Sequence, residues 1–228
     1  MLKGKGILSA FQKEVLHAFV NLPDSNRFYL TGGTALAEFY FGHRLSFDLD
    51  LFTSDQPLIS PFSRLFELDA VKFLPPESNV KSIRRFATFA ECEVGNRDEK
   101  VRVQFAYDSP FQFQRPEESE FGVMVNNVED IYVDKLLAFY GRAEARDAVD
   151  LFFILKTRDP EELFRLAAQK DPGFDLYWFA VALEKVRKFP DEMKRWPVTM
   201  LANIDALELK ASFAQLSIEI LNKIRPRS

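Results

Sequence analysis

The sequence predicts an α+β protein in which a mixed sheet flanked by helices precedes a C-terminal helical domain. Strand-like and helix-like segments alternate over the first 125 residues. From Val128 onward the apolar residues follow a helical period, and strand signals fade. With 228 residues, 47% of them hydrophobic, the chain is long enough to bury a core. We therefore expect a sheet domain over residues 1–125 and a helical domain over residues 126–228.

The first half of the sheet domain is predicted from spacing and turn residues. Apolar residues recur at helical spacing over residues 7–20, which indicates an amphipathic helix. A short strand at 28–30 leads into a Gly-Gly turn, and a helix is expected over 34–40. A second strand over 45–52 and a helix over 62–71 complete this half.

Two longer strands are expected in the second half of the sheet domain. Residues 83–94 and 100–107 have strand character, and the sequence Gly-Asn-Arg-Asp between them is typical of a hairpin turn. A polar, acidic loop over 108–120 follows. The single cysteine, Cys92, lies in the first of these strands, so we interpret it as a buried structural residue. One cysteine excludes an intrachain disulfide and fits a reducing compartment.

Charge and composition narrow the function classes. The formal charge of −4 argues against binding nucleic acid through overall positive charge, although a local basic groove is compatible with it. The 24 phenylalanines are spread along the chain and are interpreted as core residues rather than a base-stacking surface. No segment reaches the roughly 18 apolar residues of a membrane span, so we expect a cytoplasmic protein with no membrane partner.

The most informative stretch runs from residue 30 to residue 52. Gly32 and Gly33 let the backbone approach a phosphate closely, and the helix start behind them presents N–H groups to an anion. Thr34 is expected to cap this helix or to bond a phosphate oxygen. In an extended strand Asp48 and Asp50 share one face, about 7 Å apart. The apolar residues that take the opposite face and can enter a core are Leu45, Phe47, Leu49 and Leu51.

A carboxylate pair in this position suits a divalent cation that faces nucleotide phosphates. Asp48 and Asp50 are therefore predicted to hold Mg²⁺, which bridges the phosphates and helps pyrophosphate to leave. The Asp-x-Asp motif alone is weak, and its value comes from the strand, glycine turn and helix that precede it.

A second group of charged residues follows in the helical domain. On a continuous helix Lys135, Arg142 and Arg146 would share one face, with Asp150 about 60° away. The three cations could then clamp a triphosphate, while Asp147 or Asp150 orients them or acts as a base. This face requires that the helix continue through Gly141. The alternative is a surface helix with intrahelical ion pairs such as Arg146–Asp150.

Both groups resemble elements of one known family. The Gly-Gly-Thr-Ala-Leu turn, followed by His-Arg-x-Ser-x-Asp-x-Asp-x-Phe over residues 43–52, resembles the AbiEii/AbiGii-type toxin family of DNA polymerase β-like nucleotidyltransferases. Lys135, Arg142 and the Arg-Asp-x-x-Asp-Leu run at 146–151 are similar to the later elements of that family. Together the two matches span roughly residues 28–155.

The resemblance implies a polymerase β-like nucleotidyltransferase core and a set of site residues. It implies Mg²⁺-dependent transfer of a nucleoside monophosphate from an NTP to an acceptor hydroxyl. The acceptor would be RNA, particularly the tRNA 3′ end, and the protein would be the toxin of a toxin–antitoxin or abortive-infection pair with a cognate antitoxin. The implied catalytic residues are Asp48, Asp50, Lys135, Asp147 and Asp150. The implied nucleotide-binding residues are Gly32, Gly33, Thr34, Arg44, Ser46, Arg142 and Arg146. The alternative for Arg44 is a structural role, as an anchor for Ser46 or a carboxylate.

One departure from the family pattern leaves other functions open. A third carboxylate is usual on a later strand beside the Asp-x-Asp pair, but the inward polar residue of the strand at 100–107 is Gln104. Asp108, Asp147 or Asp150 would then replace it, or the enzyme is impaired. A small-molecule, antibiotic-type nucleotidyltransferase with an acidic acceptor pocket at 117–120 is one alternative. A degenerate module that binds a nucleotide or partner is the other.

A basic C-terminal tail offers a possible RNA contact. Its charged residues are Lys223, Arg225 and Arg227. Charged residues at a chain end are usually solvated, and we favour that interpretation.

Overall fold

The structure, a computed structural model, describes residues 1–225 and divides into two compact units, Met1–Val128 and Glu129–Ser228. The division falls three residues after the predicted boundary. The first unit contains a mixed sheet and the second is helical, so the predicted α+β class with a C-terminal helical region is confirmed. None of the helices in the described part of the chain has the length and hydropathy that crossing a bilayer requires.

Seven strands form one sheet in the first unit, in the order β3-β4-β5-β2-β1-β7-β6. Strand β2 is antiparallel to β1 and parallel to β5, and β1 is parallel to β7, so the sheet is mixed. The strands are β1 (Tyr29–Thr31), β2 (Asp48–Thr53), β3 (Asn79–Arg85), β4 (Phe89–Gly95), β5 (Lys100–Tyr107), β6 (Glu117–Glu118) and β7 (Met124–Val125).

The helices of this unit are α1 (Ala10–Val20), α2 (Gly32–Ala35) and α3 (Ile59–Asp69), and a π-helical turn, Leu36–Phe41, continues α2. Helix α1 begins three residues later than predicted because Ser9 caps it: Ser9 Oγ accepts from the Gln12 N–H at 3.1 Å, and Ser9 N–H donates to Gln12 Oε1 at 2.9 Å. Such a capping box satisfies the first amides of a helix.

One face of the sheet packs against α1 and α3 through phenylalanines. The ring of Phe105 on β5 lies 5.4 Å from Phe62 and 5.2 Å from Phe66, centroid to centroid. Phe19 and Phe28 join the same cluster, and each of the five rings is buried. The interpretation of phenylalanine as core material is therefore confirmed for this cluster. The other face of β2, β4 and β5 carries polar side chains.

Two predicted strands differ from the observed ones. Strand β2 begins at Asp48 rather than at residue 45, so Phe47 lies outside it and is 62% exposed, whereas Leu49 and Leu51 are fully buried as expected. The predicted strand over 83–94 is two antiparallel strands, β3 and β4, closed by a bond from Phe86 N–H to Phe89 O at 2.7 Å. The turn sequence Phe-Ala-Thr lacks the glycine, proline or asparagine that usually marks a turn.

The hairpin between β4 and β5 is confirmed. Asn96 N–H donates to Glu99 O at 3.0 Å, and the Asn96 side chain accepts from the amides of Asp98 and Glu99. The predicted loop at 108–120 contains the short edge strand β6. Cys92 on β4 is fully buried, as predicted, and burial raises the pKa of its thiol to about 11.

The second unit is built from five helices around a small aromatic core, within the part of the chain that the structure describes. Phe139 packs against Phe213 at 5.4 Å and Phe179 at 6.1 Å, centroid to centroid. Aspartates cap three of these helices, as Asp175 does by accepting from the Trp178 N–H at 3.0 Å. The helices are α4 (Val128–Arg142), α5 (Ala145–Leu155), α6 (Pro160–Lys170), α7 (Leu176–Lys185) and α8 (Ala206–Ile224).

Candidate active site

The glycine turn and the aspartate pair lie against one another in the first unit. Gly32 has a φ of +71°, which a residue with a side chain rarely adopts, and a Cβ there would collide with the Asp50 carboxylate. Asp50 on β2 is also the register partner of Thr31, the residue before the turn. The antiparallel pairing of β1 and β2 therefore holds one carboxylate directly at the start of α2.

A buried arginine and a serine lie against the second glycine. A Cβ at Gly33 would collide with Arg44 Nη2 and lie 3.1 Å from Ser46 Oγ. Arg44 is 4% exposed and donates to the Leu45 carbonyl at 3.0 Å. Because Gly33 has no side chain, a guanidinium and a hydroxyl come within reach of the amides that open α2.

Thr34 connects α2 to the aspartate strand. Its hydroxyl donates to the backbone carbonyl of Asp48, and the side chain is 2% exposed. The helix starts two residues earlier than predicted, at Gly32, and Thr34 does not cap it because the cap position is Thr31. The structure thus shows Thr34 as a link between the glycine turn and β2.

Asp48 and Asp50 share the polar face of β2 and are half-buried. Among residues 1–225 there is no group of three or more His, Cys, Asp or Glu side chains arranged to hold a metal ion. Magnesium in proteins is often bound by one or two carboxylates, and substrate phosphates and waters complete its octahedron. The two aspartates therefore fit an ion that enters together with a nucleotide.

The position beside Asp50 on the neighbouring strand is Gln104, as the sequence predicted. Asp108 does not replace the third carboxylate beside Asp50. It lies four residues after Gln104, about 13 Å away at strand spacing. It accepts from the Tyr29 hydroxyl at 2.5 Å.

Sequence reasoning missed a carboxylate in the same part of the sheet. Glu91 on β4 is the register partner of Gln104, one strand further from Asp50, and is 4% exposed. It forms salt bridges with Arg84 and Arg102. The predicted hairpin between residues 83–94 and 100–107 pairs Glu91 with Gln104, so its register is the signal that could have located this carboxylate.

The charged residues predicted in the helical domain form two ion pairs in the second unit. Lys135 Nζ lies 2.8 Å from Asp150 Oδ2, and the two side chains are 9% and 0% exposed. Arg142 makes a two-pronged contact with Asp147, Nε to Oδ2 at 2.6 Å and Nη2 to Oδ1 at 2.8 Å. Both pairs join α4 to α5.

The continuous helix expected for these residues is not present. Helix α4 ends at Arg142, Ala143 adopts a φ of +48°, and α5 starts at Ala145. The break therefore lies two residues after Gly141. The prediction that Lys135, Arg142 and Arg146 share one face of a continuous helix is wrong. The alternative pairing of Arg146 with Asp150 is replaced by an Arg146 Nε–Glu144 Oε2 contact of 3.1 Å.

A cavity of about 510 Å³ opens beside this helix break, a volume typical of small-molecule sites. Of the residues that line this cavity, Arg146 was predicted from the sequence as a site residue. The lining residues are Ala143, Glu144, Ala145, Arg146, Phe189, Pro190, Trp196 and Pro197.

The glycine turn, the paired aspartates and the later Lys and Arg-Asp-x-x-Asp elements are all matched by one family model. The nucleotidyl transferase AbiEii toxin family, of type IV toxin–antitoxin systems, matches residues 14–210. The chain belongs to this family. The resemblance predicted from the two motifs is thereby confirmed, and the protein is a nucleotidyltransferase of a toxin family.

A curated relative and two solved structures are similar to this chain over most of its length. An uncharacterized protein of Aquifex aeolicus (strain VF5) is 28% identical over 182 residues, which is 79% of this chain and 82% of the relative. A Helicobacter pylori protein proposed to be a nucleotidyltransferase superposes with a TM-score of 0.64 at 19% identity, covering 95% of this chain and 97% of that one. MenT4, a nucleotidyltransferase toxin from Mycobacterium tuberculosis H37Rv, gives 0.62 at 17% identity, covering 94% and 84%. At these identities the two structures show that the fold is shared.

Proposed function

We propose that this AbiEii-family protein transfers a nucleoside monophosphate from an Mg²⁺-bound NTP to a hydroxyl of RNA, the 3′ end of tRNA in particular. In this proposal it acts as a toxin held in check by a cognate antitoxin. The observation that carries the proposal is the contact between Gly32 and the Asp50 carboxylate, because it joins a phosphate cradle to a pair of metal ligands.

The proposed reaction is an in-line displacement at the α-phosphorus. The acceptor oxygen forms a bond to that phosphorus, the bond to the bridging oxygen of the β-phosphate breaks, and pyrophosphate leaves. Asp48 and Asp50 would hold Mg²⁺, which supplies positive charge to the phosphate oxygens. The amides of Gly32 and Gly33 and the Arg44 guanidinium are the groups of the chain that would contact those oxygens.

The family resemblance assigns further phosphate-binding residues to the helical unit. We propose that Lys135, Arg142 and Arg146 are nucleotide-binding residues, as that resemblance implies, and that an acidic residue takes the hydroxyl proton. Asp147 and Asp150 hold Arg142 and Lys135 in defined positions, which preorganises these cations.

The acidic segment at 117–120, which would favour a small-molecule acceptor if it formed a pocket, lies at the edge of the sheet. In the 117–120 segment, Glu117 and Glu118 lie on the exposed edge strand β6, and Glu120 Oε1 accepts from the Gly4 N–H at 2.6 Å. The segment is thus part of an edge strand and an anchor for the N-terminal residues. Of the basic tail, Lys223 forms an ion pair with Glu161, and Arg227 lies outside the described residues.

The test supplies each α-labelled NTP with Mg²⁺ to the protein together with total RNA. We expect label in an RNA band, with transfer lowered at least 100-fold in Asp48→Asn and in Asp50→Asn. Asp98→Asn is the matched control, since Asp98 is exposed in the β4–β5 turn. Oxidation of the RNA 3′ diol with periodate should abolish labelling.

Three results would contradict the proposal. Equal labelling by Asp48→Asn and wild type would refute the metal assignment. Label found in small molecules but not in RNA would favour the antibiotic-type alternative. A melting temperature that no NTP raises, with or without Mg²⁺, would favour the binding module.

A further inference from the structure

A row of polar side chains crosses the sheet on the face that carries the aspartate pair. The register pairs Asp50 with Gln104, Gln104 with Glu91, and Glu91 with Arg84. Directly paired residues of neighbouring strands point to the same side of a sheet. These four side chains therefore lie on one face, opposite the Phe105 cluster, and extend from β2 to β3.

Two arginines in this region are held by one buried carboxylate. Arg102 Nε lies 3.3 Å from Glu91 Oε1, and Arg84 Nη2 contacts Glu91 Oε2. The arginine side chains are 55% and 56% exposed, whereas that of Glu91 is 6% exposed. A guanidinium carries five N–H groups, more than one carboxylate oxygen can accept. Arg84 also lies over the Phe89 ring at 5.3 Å, which restricts its side chain.

The part of this face formed by β3, β4 and β5 carries more basic than acidic residues, although the whole chain is negative. On the same face Lys81 and Arg102 flank Glu93 in the register, and Lys100 Nζ lies 2.7 Å from Glu93 Oε1. On β3, β4 and β5 this face thus carries four basic residues and two acidic ones, while Asp48 and Asp50 lie on the neighbouring strand β2. The formal charge of the chain is −4, so this local excess is not a reflection of overall composition.

The order of the strands indicates which substrate this face meets. The glycine turn belongs to β1, on one side of the aspartate strand β2, while β5, β4 and β3 follow on the other side. A nucleotide whose phosphates contact Gly32 and Asp50 leaves the β5 side open to the acceptor. At strand spacing, Glu91 lies about 10 Å and Arg84 about 14 Å from Asp50 across the sheet.

We propose that Arg84 and Arg102, positioned by Glu91, bind the phosphodiester backbone of the RNA acceptor next to its reacting 3′ end. The inference rests on the proposed RNA acceptor. Arginine binds phosphate through parallel N–H···O bonds, and a carboxylate behind it fixes the direction of the guanidinium. Glu91 on β4 contacts both guanidiniums and so limits the directions that these half-exposed side chains can take.

The test neutralises the whole cluster, because removal of the arginines alone would leave Glu91 buried without its partners. The variant is Arg84→Gln/Arg102→Gln/Glu91→Gln. The matched control is Lys72→Gln/Arg97→Gln/Glu77→Gln, which removes the same charges from exposed ion pairs. Lys72 follows α3, and Arg97 lies in the β4–β5 turn, so neither belongs to this row.

Binding of fluorescently labelled tRNA is measured by anisotropy over a range of salt concentrations. We expect the Kd of the cluster variant to rise at least tenfold and that of the control variant to stay within twofold of wild type. The slope of log K against log salt should fall by about 1.4, since each lost contact to a single strand removes about 0.7. In the transfer reaction, KM for RNA should rise while the NTP-induced increase in melting temperature is kept.

The outcomes separate this inference from the proposed function. If wild type binds RNA and the cluster variant binds it as tightly as the control, the arginine assignment is refuted and the RNA acceptor stands. If wild type is stabilised by NTP but neither binds nor labels RNA, the RNA acceptor and the arginine assignment are both refuted. Should the triple variant fail to fold, Arg84→Gln alone, which keeps the Arg102 contact, should raise the Kd about threefold. An unchanged Kd in that variant would also refute the assignment.

Discussion

The buried pair of Lys135 and Asp150 allows a structural role to be separated from a catalytic one. Loss of one partner leaves the other charge in a site where the side chains are 9% and 0% exposed. Removing one member of a buried ion pair typically costs 3–5 kcal/mol, whereas replacing both members by apolar residues is often neutral. We therefore expect about 4 kcal/mol of destabilisation in Lys135→Met and in Asp150→Leu, and less than about 1 kcal/mol in the double variant.

Tryptophan fluorescence during urea unfolding reports on the relevant unit. Both tryptophans, Trp178 and Trp196, lie in the helical unit that contains the pair, and Trp196 is buried. With an m-value of about 2 kcal/mol/M, the single variants should lower the urea midpoint by about 2 M. Lys156→Met is the control, because the Lys156–Glu208 pair is half-exposed and worth at most about 1 kcal/mol.

Two results would refute this reasoning. Single variants that shift the midpoint no more than Lys156→Met does would show that the pair is not buried as described. A double variant as unstable as the sum of the single ones would show that the two charges do not compensate each other. Activity then tests the functional role: a stable but inactive double variant supports a functional role for the Lys135–Asp150 pair, and a stable, active one contradicts the proposed phosphate contact of Lys135.

Three further predictions concern the first unit. Gly32→Ala should abolish nucleotide transfer and lower stability, because the added Cβ collides with the Asp50 carboxylate. Gly6→Ala, at a similar φ of +79° with nothing within 4 Å, is the control and should keep transfer. Cys92 should react with a thiol reagent at pH 8 only on unfolding, since a pKa of about 11 leaves roughly one thiolate per thousand; rapid labelling of the folded protein would contradict its burial. The hydrogen bond from Arg85 lowers the pKa of Glu67 below its ordinary value of 4.5. The ionised Glu67 carboxylate therefore stabilises the folded protein above pH 4.5, and this contribution is lost as the pH falls through the folded-state pKa. The stability difference between wild type and Glu67→Gln should therefore shrink below pH 4.5, and a difference that stays constant would refute the assignment.

The features that the sequence predicted well are local ones. A glycine turn followed by a strand with alternate aspartates specifies its own geometry, because neighbouring residues determine both the turn and the face of the strand. The contact of Gly32 with Asp50 depends on only one tertiary feature, the pairing of the neighbouring strands β1 and β2. The motif therefore located the glycine–aspartate site before any tertiary contact was known.

The features that it did not predict depend on pairings between distant residues or on unusual backbone. The turn between β3 and β4 has no residue that favours a turn, so the pairing of Arg84 with Glu91 could not be derived. Ala143 breaks the helix with a positive φ, which alanine rarely adopts, while Gly141, the expected break, lies inside α4. In both places tertiary packing overrides the local preference of the residues.

The separation of charge within the sheet would allow an acidic protein to bind the proposed RNA acceptor. Its overall charge of −4 repels a polyanion at long range, but at physiological salt that repulsion is screened beyond about 8 Å. Contacts at hydrogen-bond distance are screened much less, so a few arginines fixed in position outweigh a diffuse negative charge. In the proposed complex the carboxylate of Glu91 is an advantage, because it adds one negative charge but positions two guanidiniums on the face that we propose for the acceptor. Raising the net charge by removing Glu91 alone should for this reason weaken productive binding of the 3′ end rather than strengthen it.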